Sequence, residues 1–409
     1  MKRLQAYKFR IEPTGEQARS LRRFAGSCRF VFNKALALQQ ENHQAGNPFI
    51  NYVAMAKLLT GWRNSADTAW LRDAPVHPLQ HALKDLERAY KNFFAQRADF
   101  PRFKKKGSSD SFRYPDQKQF KIDQPNSRIF LPKLGWVRYR NSREILGLAK
   151  NITISCSNGK WHASIQTERE IEQPIHPAAS IIGIDMGIAR FATLSDGSHI
   201  EPLNSFKKHE NRLALLQRRM SRKVKFSSNW KKAKTSVTKL HQKIAHVRKD
   251  FLHKTSTILS KNHALIVIED LKVSNMSRSA AGSVETPGRN VRAKSGLNRS
   301  ILDQGWSEFR RQLAYKQVWR GGEVLAVPPQ YTSQTCPACA HVSAENRRSQ
   351  ARFECVECGF EANADHVGAM NILAAGHAVL ACGEAAEVRR SVKQEPAEAT
   401  TQGSPCLAQ

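Results

Sequence analysis

IIGIDMGIARFATLSDGSHI, residues 181–200, reads as three strands in succession. Ile181, Ile182 and Ile184 form a short apolar run without polar interruption, the pattern of a strand buried on both faces. Gly187 allows a tight turn into a second strand, FATL, and Asp196-Gly197 turns the chain into a third. Asp185 stands at the end of the first strand, against the glycine turn. A carboxylate there is costly unless it binds a metal or meets a cation. Downstream, ALIVIEDL (264–271) is a second buried strand that ends on Glu269, with Asp270 beside it, and GGEVLAV (321–327) is a further one.

The stretches between these strands differ in character. Residues 207–260 are helical. An upstream stripe of Leu213, Leu216 and Met220 faces Val237, Leu240, Ile244, Val247 and Phe251, which keep a 3-4-3-4 spacing, so a helical hairpin is predicted. From Lys207 to Asp250 there are 15 Lys/Arg and 2 Asp/Glu, a local charge of +13. Residues 276–299, rich in Ser, Gly, Arg and Asn, read as a mobile loop, and 303–320 as a helix. After the last strand, Cys336, Cys339, Cys355 and Cys358 form C-x2-C-x15-C-x2-C, the spacing of a zinc ribbon. Four thiolates make a closed, structural site for one Zn²⁺. Gly359 follows the second pair where a knuckle needs positive φ, and Ala340 takes the equivalent place after the first. Asp365 lies just beyond, at the start of a predicted helix, either as a helix cap or as a third functional acid. A β-hairpin bearing Asp, a later strand bearing Glu and a helix bearing Asp are, in that order, the parts of an RNase H-like nuclease. Three such carboxylates can hold two Mg²⁺ ions about 3.5–4 Å apart, and oxygen ligands with open positions suit Mg²⁺.

The N-terminal part reads differently. Tyr7, Phe9 and Ile11 alternate with Lys8 and Arg10 as a half-buried strand, and Thr14 with Gln17 is a capping box opening a helix. Residues 14–95 form a helical unit inserted after that strand. Its partner strands are predicted within 100–170: FKI (120–122), RIFL (128–131), WVRYR (136–140), ITISC (152–156) and WHASIQ (161–166), with Asn158-Gly159 as a hairpin turn, giving a small β-barrel. The whole chain has 409 residues, enough for two to four domains at about 100–200 residues each, and a net charge of +30. A pI near 10.1 calls for an anionic partner, first of all nucleic acid. No apolar run is long enough to span a membrane, and MKRLQAYKFRIEPTGE lacks the apolar core of a secretory signal, so a cytoplasmic, nucleoid-associated protein of a bacterium or archaeon is expected.

Taken together, G-I-D-M-G, I-E-D-L, Y-T-S-Q-T-C-P-A-C, the second C-x-x-C, A-D-H-V-G-A-M-N-I, the Ala89-Tyr90 to Phe93-Phe94 stretch and F-P-R-F-K-K-K resemble the TnpB proteins. This is the transposon-encoded OrfB family, related to the ancestors of type V CRISPR nucleases. The resemblance implies a multidomain α+β chain. Its parts would be a β-barrel wedge domain (1–13 and 96–172), a helical recognition domain (14–95), a split RuvC-like nuclease domain (181–330 and 360–380, with 207–260 as its basic hairpin), a zinc ribbon (331–359) and a disordered tail (384–409). It implies Asp185, Glu269 and Asp365 as catalytic acids and Mg²⁺ ligands. It also implies RNA-guided cleavage of double-stranded DNA beside a short transposon-associated motif, with a structured guide RNA from the transposon end and a monomer as the favoured state. One departure is Val367, where many relatives carry Asn two residues after the third acid. Tyr52 and the turn His77–Gln80 lie where relatives read the DNA motif, although Tyr52 serves equally as a packing residue. Arg102, Lys104 and Lys105, beside Phe100 and Phe103, and Lys231, Lys232 and Lys234 on the basic hairpin, are the candidate nucleic-acid contacts, with solvated faces as the alternative. Two rival functions remain at this level: a nuclease-inactive, RNA-guided DNA-binding repressor, and a transposase performing strand transfer. Retention of all three acids disfavours the first, and the order of basic insertion and ribbon disfavours the second.

Overall fold

A computed structural model describes residues 1–107, 110–349 and 351–392. The chain divides into two compact units, Met1–Glu172 and a second beginning at Gln173. The first unit opens with β1 (Lys2–Glu12), followed by α1 (Gly15–Gln44), α2 (Tyr52–Asn64) and α3 (Val76–Phe94). Thr14 Oγ1 accepts from the Gln17 N–H, and Gln17 Oε1 accepts from the Thr14 N–H, the reciprocal cap that the sequence predicts. Six strands follow: β2 (Ser111–Tyr114), β3 (Lys121–Asp123), β4 (Arg128–Leu131), β5 (Gly135–Tyr139), β6 (Leu148–Ser157) and β7 (Lys160–Glu170). Their order is β2-β6-β7-β1-β5-β4-β3, all antiparallel. The first strand of the chain is thus the central one, and Tyr7, Phe9 and Ile11 on its inner face join the buried stripes of the three helices in one core. Residues 2–10 of β1 pair with β7 and its last two residues with β5, and the end strands β2 and β3 do not pair with each other. Asn158 and Gly159 both take left-handed backbone (φ 50° and 74°), as a two-residue hairpin turn requires.

The second unit is built on β8 (Ile181–Asp185), β9 (Ala192–Leu194), β10 (His199–Ile200), β11 (Leu265–Glu269) and β12 (Glu323–Val327). The sheet order is β10-β9-β8-β11-β12, with β9 antiparallel to β8 and with β11 parallel to both β8 and β12. Strand alternation distributes the apolar residues between two layers. Ile182, Ile184, Ile266 and Ile268 pack into one core with Leu252, Leu259, Ile301, Phe309 and Leu313. Leu265 and Val267 pack on the other face with Ile372 and Leu373. The helices of the first layer are α5 (Ser228–Asn262), α7 (Val291–Gln304) and α8 (Trp306–Val318). The second face is covered by α9 (Ala364–Val392). Close approach of α9 to the sheet depends on Gly183, because a Cβ there would run into the Ala369 carbonyl and stand 2.8 Å from Leu373 Cβ. Gly183→Ala is therefore expected to destabilise the second unit by at least about 1–3 kcal/mol, read as a lower denaturation midpoint; an unchanged midpoint would contradict this packing.

Between β10 and β11, α4 (Glu210–Ser221) and α5 form the predicted hairpin, with Leu213, Val237, Leu240 and Ile244 buried along its seam. Val247 leaves that seam and is exposed, because α5 there turns its apolar side to the sheet through Leu252. Two expectations change after β11. Of the stretch expected to be a mobile loop, residues 291–299 belong to α7, behind the short α6 (Val273–Met276), while Gly305 in left-handed backbone separates α7 from α8. The expected disordered tail also begins too early, since α9 continues through Val392; residues 393–409 lie outside the described residues. Between β12 and α9 lies a small module with the hairpin β13 (Arg352–Glu354) and β14 (Glu361–Asn363). Among the described residues, no helix is long and apolar enough to cross a membrane.

Candidate active site

Parallel pairing of β8 and β11 runs from Leu265 opposite Ile181 to Ile268 opposite Ile184. The next residue of each strand is an acid, so Asp185 and Glu269 stand together at the C-terminal edge of the sheet, where open α/β sheets place their sites. Both continue the strand alternation that directs Gly183 and Val267 toward α9. Asp365 arrives from the first turn of that helix. It does not cap the helix, because Asn363 Oδ1 takes that role, accepting from the Asp365 N–H at 3.1 Å and the His366 N–H at 3.3 Å. The Asp365 carboxylate instead lines a cleft of about 860 Å³ together with Asp185, Glu269, Trp306, Thr332 and Arg347. Gly368, one turn into α9, leaves room for Asp185: a Cβ there would stand 3.1 Å from Asp185 Oδ2.

The electrostatics of the cleft are strained without cations. Burial, then the negative fields of Glu269 and Asp365, push the Asp185 carboxyl up to about 7, against the opposing pull of Arg347. Burial also raises Glu269, while the Thr332 hydroxyl, donating to Glu269 Oε1 at 2.7 Å, and Arg347 work the other way. Hard oxygen donors with mutual repulsion fit divalent cations such as Mg²⁺. A stability consequence follows. Between about pH 4 and 7 the native state holds a proton at Asp185 that the unfolded chain has released, so metal-free stability falls as pH rises through that window. Asp185→Asn is expected to raise the metal-free melting temperature at pH 8 by several degrees, at roughly 2–4 °C per kcal/mol for a unit of this size, with little effect at pH 4. A lower melting temperature at pH 8 would contradict the crowding of charge.

The four cysteines converge as their spacing predicts. Their sulfurs all lie within 4.8 Å of one another, with Cys336–Cys358 and Cys339–Cys355 at 3.6 Å. Thiolates about 2.3 Å from one tetrahedral ion would be spaced much like this. The two knuckles repeat each other. Ala340 N–H donates to Cys336 O and Gly359 N–H to Cys355 O, and both residues have positive φ, 62° and 70°. Buried Asn346 joins them: its Nδ2 donates to Gln334 O and His341 O, and its Oδ1 accepts from the Val356 N–H. Among the described residues this is the one His/Cys/Asp/Glu group at such close spacing; the three carboxylates do not all close to it.

The four-cysteine module also shapes the cleft, which its sequence does not announce. Thr332, at its entry, holds Glu269, and Arg347 from its interior reaches Asp365 at 3.9 Å. Asn371 of α9 donates to Thr332 O and Thr335 O, at 2.8 and 2.7 Å, and anchors that entry. Val367 is fully buried against the module core of Cys336, Phe353 and Cys355, so it packs the module onto α9.

Comparison with known proteins places this architecture. Residues 164–280 match an OrfB family profile described as "Probable transposase", 306–372 match a "Cas12f1-like, TNB domain" and 1–48 a "Helix-turn-helix domain". The chain is 65% identical, over 97% of its length and 98% of the relative, to the "Putative RNA-guided DNA endonuclease InsQ" of Escherichia coli K12. It is 35% identical, over 97% of each chain, to a "Putative RNA-guided DNA endonuclease" of Streptomyces pristinaespiralis. The chain belongs to the transposon-encoded OrfB family, the TnpB proteins. A solved Cas12f1–sgRNA–target DNA complex has a similar fold, with a TM-score of 0.57 at 12% identity, covering 91% of this chain and 98% of that one. In this TnpB protein the helix-turn-helix match falls on one strand and one uninterrupted 30-residue helix.

The remaining candidate contacts of the TnpB chain lie on separate segments. Tyr52 opens α2, half-buried, with Lys84 Nζ 4.9 Å from its ring centre. His77 and Gln80 sit in the first turns of α3, His77 exposed. Arg102, Lys104 and Lys105 line a cleft of about 580 Å³ with Arg29, His81 and Arg113. Asn33 pins that loop by bonding both the N–H and the carbonyl of Lys104. Lys231, Lys232 and Lys234 are exposed on the opening turns of α5.

Proposed function

We propose that this TnpB protein is an RNA-guided, Mg²⁺-dependent DNA endonuclease that cuts beside a short transposon-associated motif. Convergence of Asp185, Glu269 and Asp365 on one cleft carries the reading. The strand order of the second unit supports an RNase H-like, RuvC-type assignment for 181–330 with 360–380, interrupted by the zinc ribbon 331–359. The first unit would supply the wedge (1–13 and 96–172) and the helical recognition domain (14–95). Guide RNA from the transposon end and double-stranded DNA are the partners, as the names of the relatives suggest for those proteins.

The three carboxylates would hold the catalytic cations. Two divalent cations held there would supply the activation of a water and the stabilisation of the leaving oxygen of the scissile phosphodiester. Thr332 fixes the orientation of Glu269, and Asn371 holds Thr332 in place. Arg347 stands beside Asp365 at the rim of the cleft, where its guanidinium would face a phosphate oxygen of the substrate. The chain's own +30 charge attracts the substrate.

The test is to purify the full chain with the RNA it carries from cells, sequence that RNA and challenge the complex with a DNA motif library in Mg²⁺. One defined structured RNA and cuts beside one motif are expected; heterogeneous RNA without cleavage would refute the reading. A further expectation concerns the hairpin. Replacing Lys231, Lys232 and Lys234 by Gln should weaken nucleic-acid binding at all targets and lower the salt slope by roughly 0.7–0.9 per lost phosphate contact, leaving motif preference intact. An unchanged slope would show that these lysines only solvate the surface.

A further inference from the structure

Residues 211–249 contain 13 lysines and arginines and no carboxylate. At the tip of this hairpin, between Ser221 and Ser228, the chain does something that charge alone does not require. Phe226 takes left-handed backbone, φ 70°, a region that glycine or asparagine enters readily and an aromatic residue rarely. Its ring is 65% exposed and Val224 is 80% exposed. Ser227 caps α5 by accepting from the Trp230 N–H at 3.1 Å, which sets Trp230 beside Phe226 with ring centres 5.4 Å apart and planes at 61°. A lysine attends each ring: Lys225 Nζ lies 5.4 Å from the Phe226 centre and Lys234 Nζ 5.1 Å from that of Trp230. The hairpin seam is filled by Leu213, Val237, Leu240 and Ile244 without any help from these rings. A strained aromatic residue held out in water, where a small residue would close the turn better, calls for a ligand outside the fold.

We infer that the tip is a stacking site for an unpaired nucleobase: exposed Phe226 offers the ring face that takes the base, half-buried Trp230 packs edge-on against that ring and holds it, and Lys225, Lys231 and Lys234 meet the phosphates on either side. Exposed aromatic faces flanked by cations bind single strands, because a paired base offers no free face. The inference deepens the reading of this chain as an RNA-binding nuclease and rests on it for the biological source of the strand. The shared chemistry is an unstacked base on a single strand, whether of RNA or of DNA.

The test uses the full chain and bare 12-nucleotide probes carrying one 5-iodouracil: single-stranded RNA, single-stranded DNA and a DNA duplex. Photocrosslinks from single-stranded probes should map to the peptide holding Phe226 and Trp230, and duplex crosslinks should not. Phe226→Leu and Trp230→Leu should each weaken single-strand binding by about 5- to 150-fold, with the salt slope and duplex affinity unchanged. The stronger of the RNA and DNA arms identifies the source. Phe226→Gly separates binding from folding, since it relieves the left-handed strain: its melting temperature should equal or exceed that of the parent while single-strand binding falls. Parent-like single-strand affinity in Phe226→Leu and Trp230→Leu would overturn the inference, as would an equal loss on duplex. Because the probes are unguided, a failure here is distinct from a failure of guided cleavage.

Discussion

Replacing Asp185, Glu269 or Asp365 by alanine is expected to reduce DNA cleavage by roughly 10³-fold or more. Cation stabilisation of phosphoryl charge is worth several kcal/mol, and each 1.36 kcal/mol is a factor of ten. The three losses should be similar in size and far from additive in combination, because any one removes a ligand that the others cannot replace. Nucleic-acid binding should survive in each, since the acids contribute only negative charge to a chain of net +30. Asp270 is the internal control. It neighbours Glu269 in sequence, but its half-exposed carboxylate pairs with Arg310, so Asp270→Asn should retain most activity. Single-turnover cleavage of a matched DNA target measures all four variants. Parent-like rates in any of the first three would remove that residue from the site.

Cys336→Ser or Cys355→Ser is expected to lose one equivalent of zinc and unfold the module between β12 and α9. The module's core is small, Cys336, Phe353 and Cys355 packed on Ala364 and Val367 of α9, too few apolar groups to hold it without metal. The damage should also reach the cleft. With the module unfolded, Thr332 no longer holds Glu269 and Arg347 no longer stands beside Asp365. Zinc content and cleavage should therefore fall together, while the seven-stranded unit, Met1–Glu172, keeps its own transition. Full zinc content in either variant would refute the four-thiolate site, and full cleavage in a zinc-free variant would refute the coupling.

Much of this was legible in the sequence because strong local signals agreed with the tertiary outcome. Apolar runs ending on Asp185 and Glu269 announced parallel strands whose acids meet at one edge, and the cysteine spacing announced the module. Thr14 and Gln17 located the start of α1 to the residue. Other features depended on contacts that no local pattern encodes. Residues 291–304, VRAKSGLNRSILDQ, have the composition of a loop, yet they form α7, with Ile301 buried against the sheet core and Lys294 and Asn298 bonded to the carbonyls of Met276 and Arg278. Strand signals alone do not say which strands pair, and only the fold shows β1 at the centre of the seven-stranded sheet. Arg347 was invisible among 65 basic residues, and only the fold of the module carries it to Asp365. Asn363 also went unnoticed as the cap, although an Asn two residues before an acid at a helix start is a recognisable signal.

The most direct measurement is reprogramming. The full chain is loaded with its co-purified RNA after the segment complementary to a target has been rewritten, and cleavage of two DNAs carrying the same flanking motif, one matching the old segment and one the new, is followed in Mg²⁺. The expected result is that cutting moves to the new target, is lost at the old one and disappears from both with Asp185→Ala. Cleavage that stays at the old target, or that continues without RNA, would contradict an RNA-guided nuclease built on Asp185, Glu269 and Asp365.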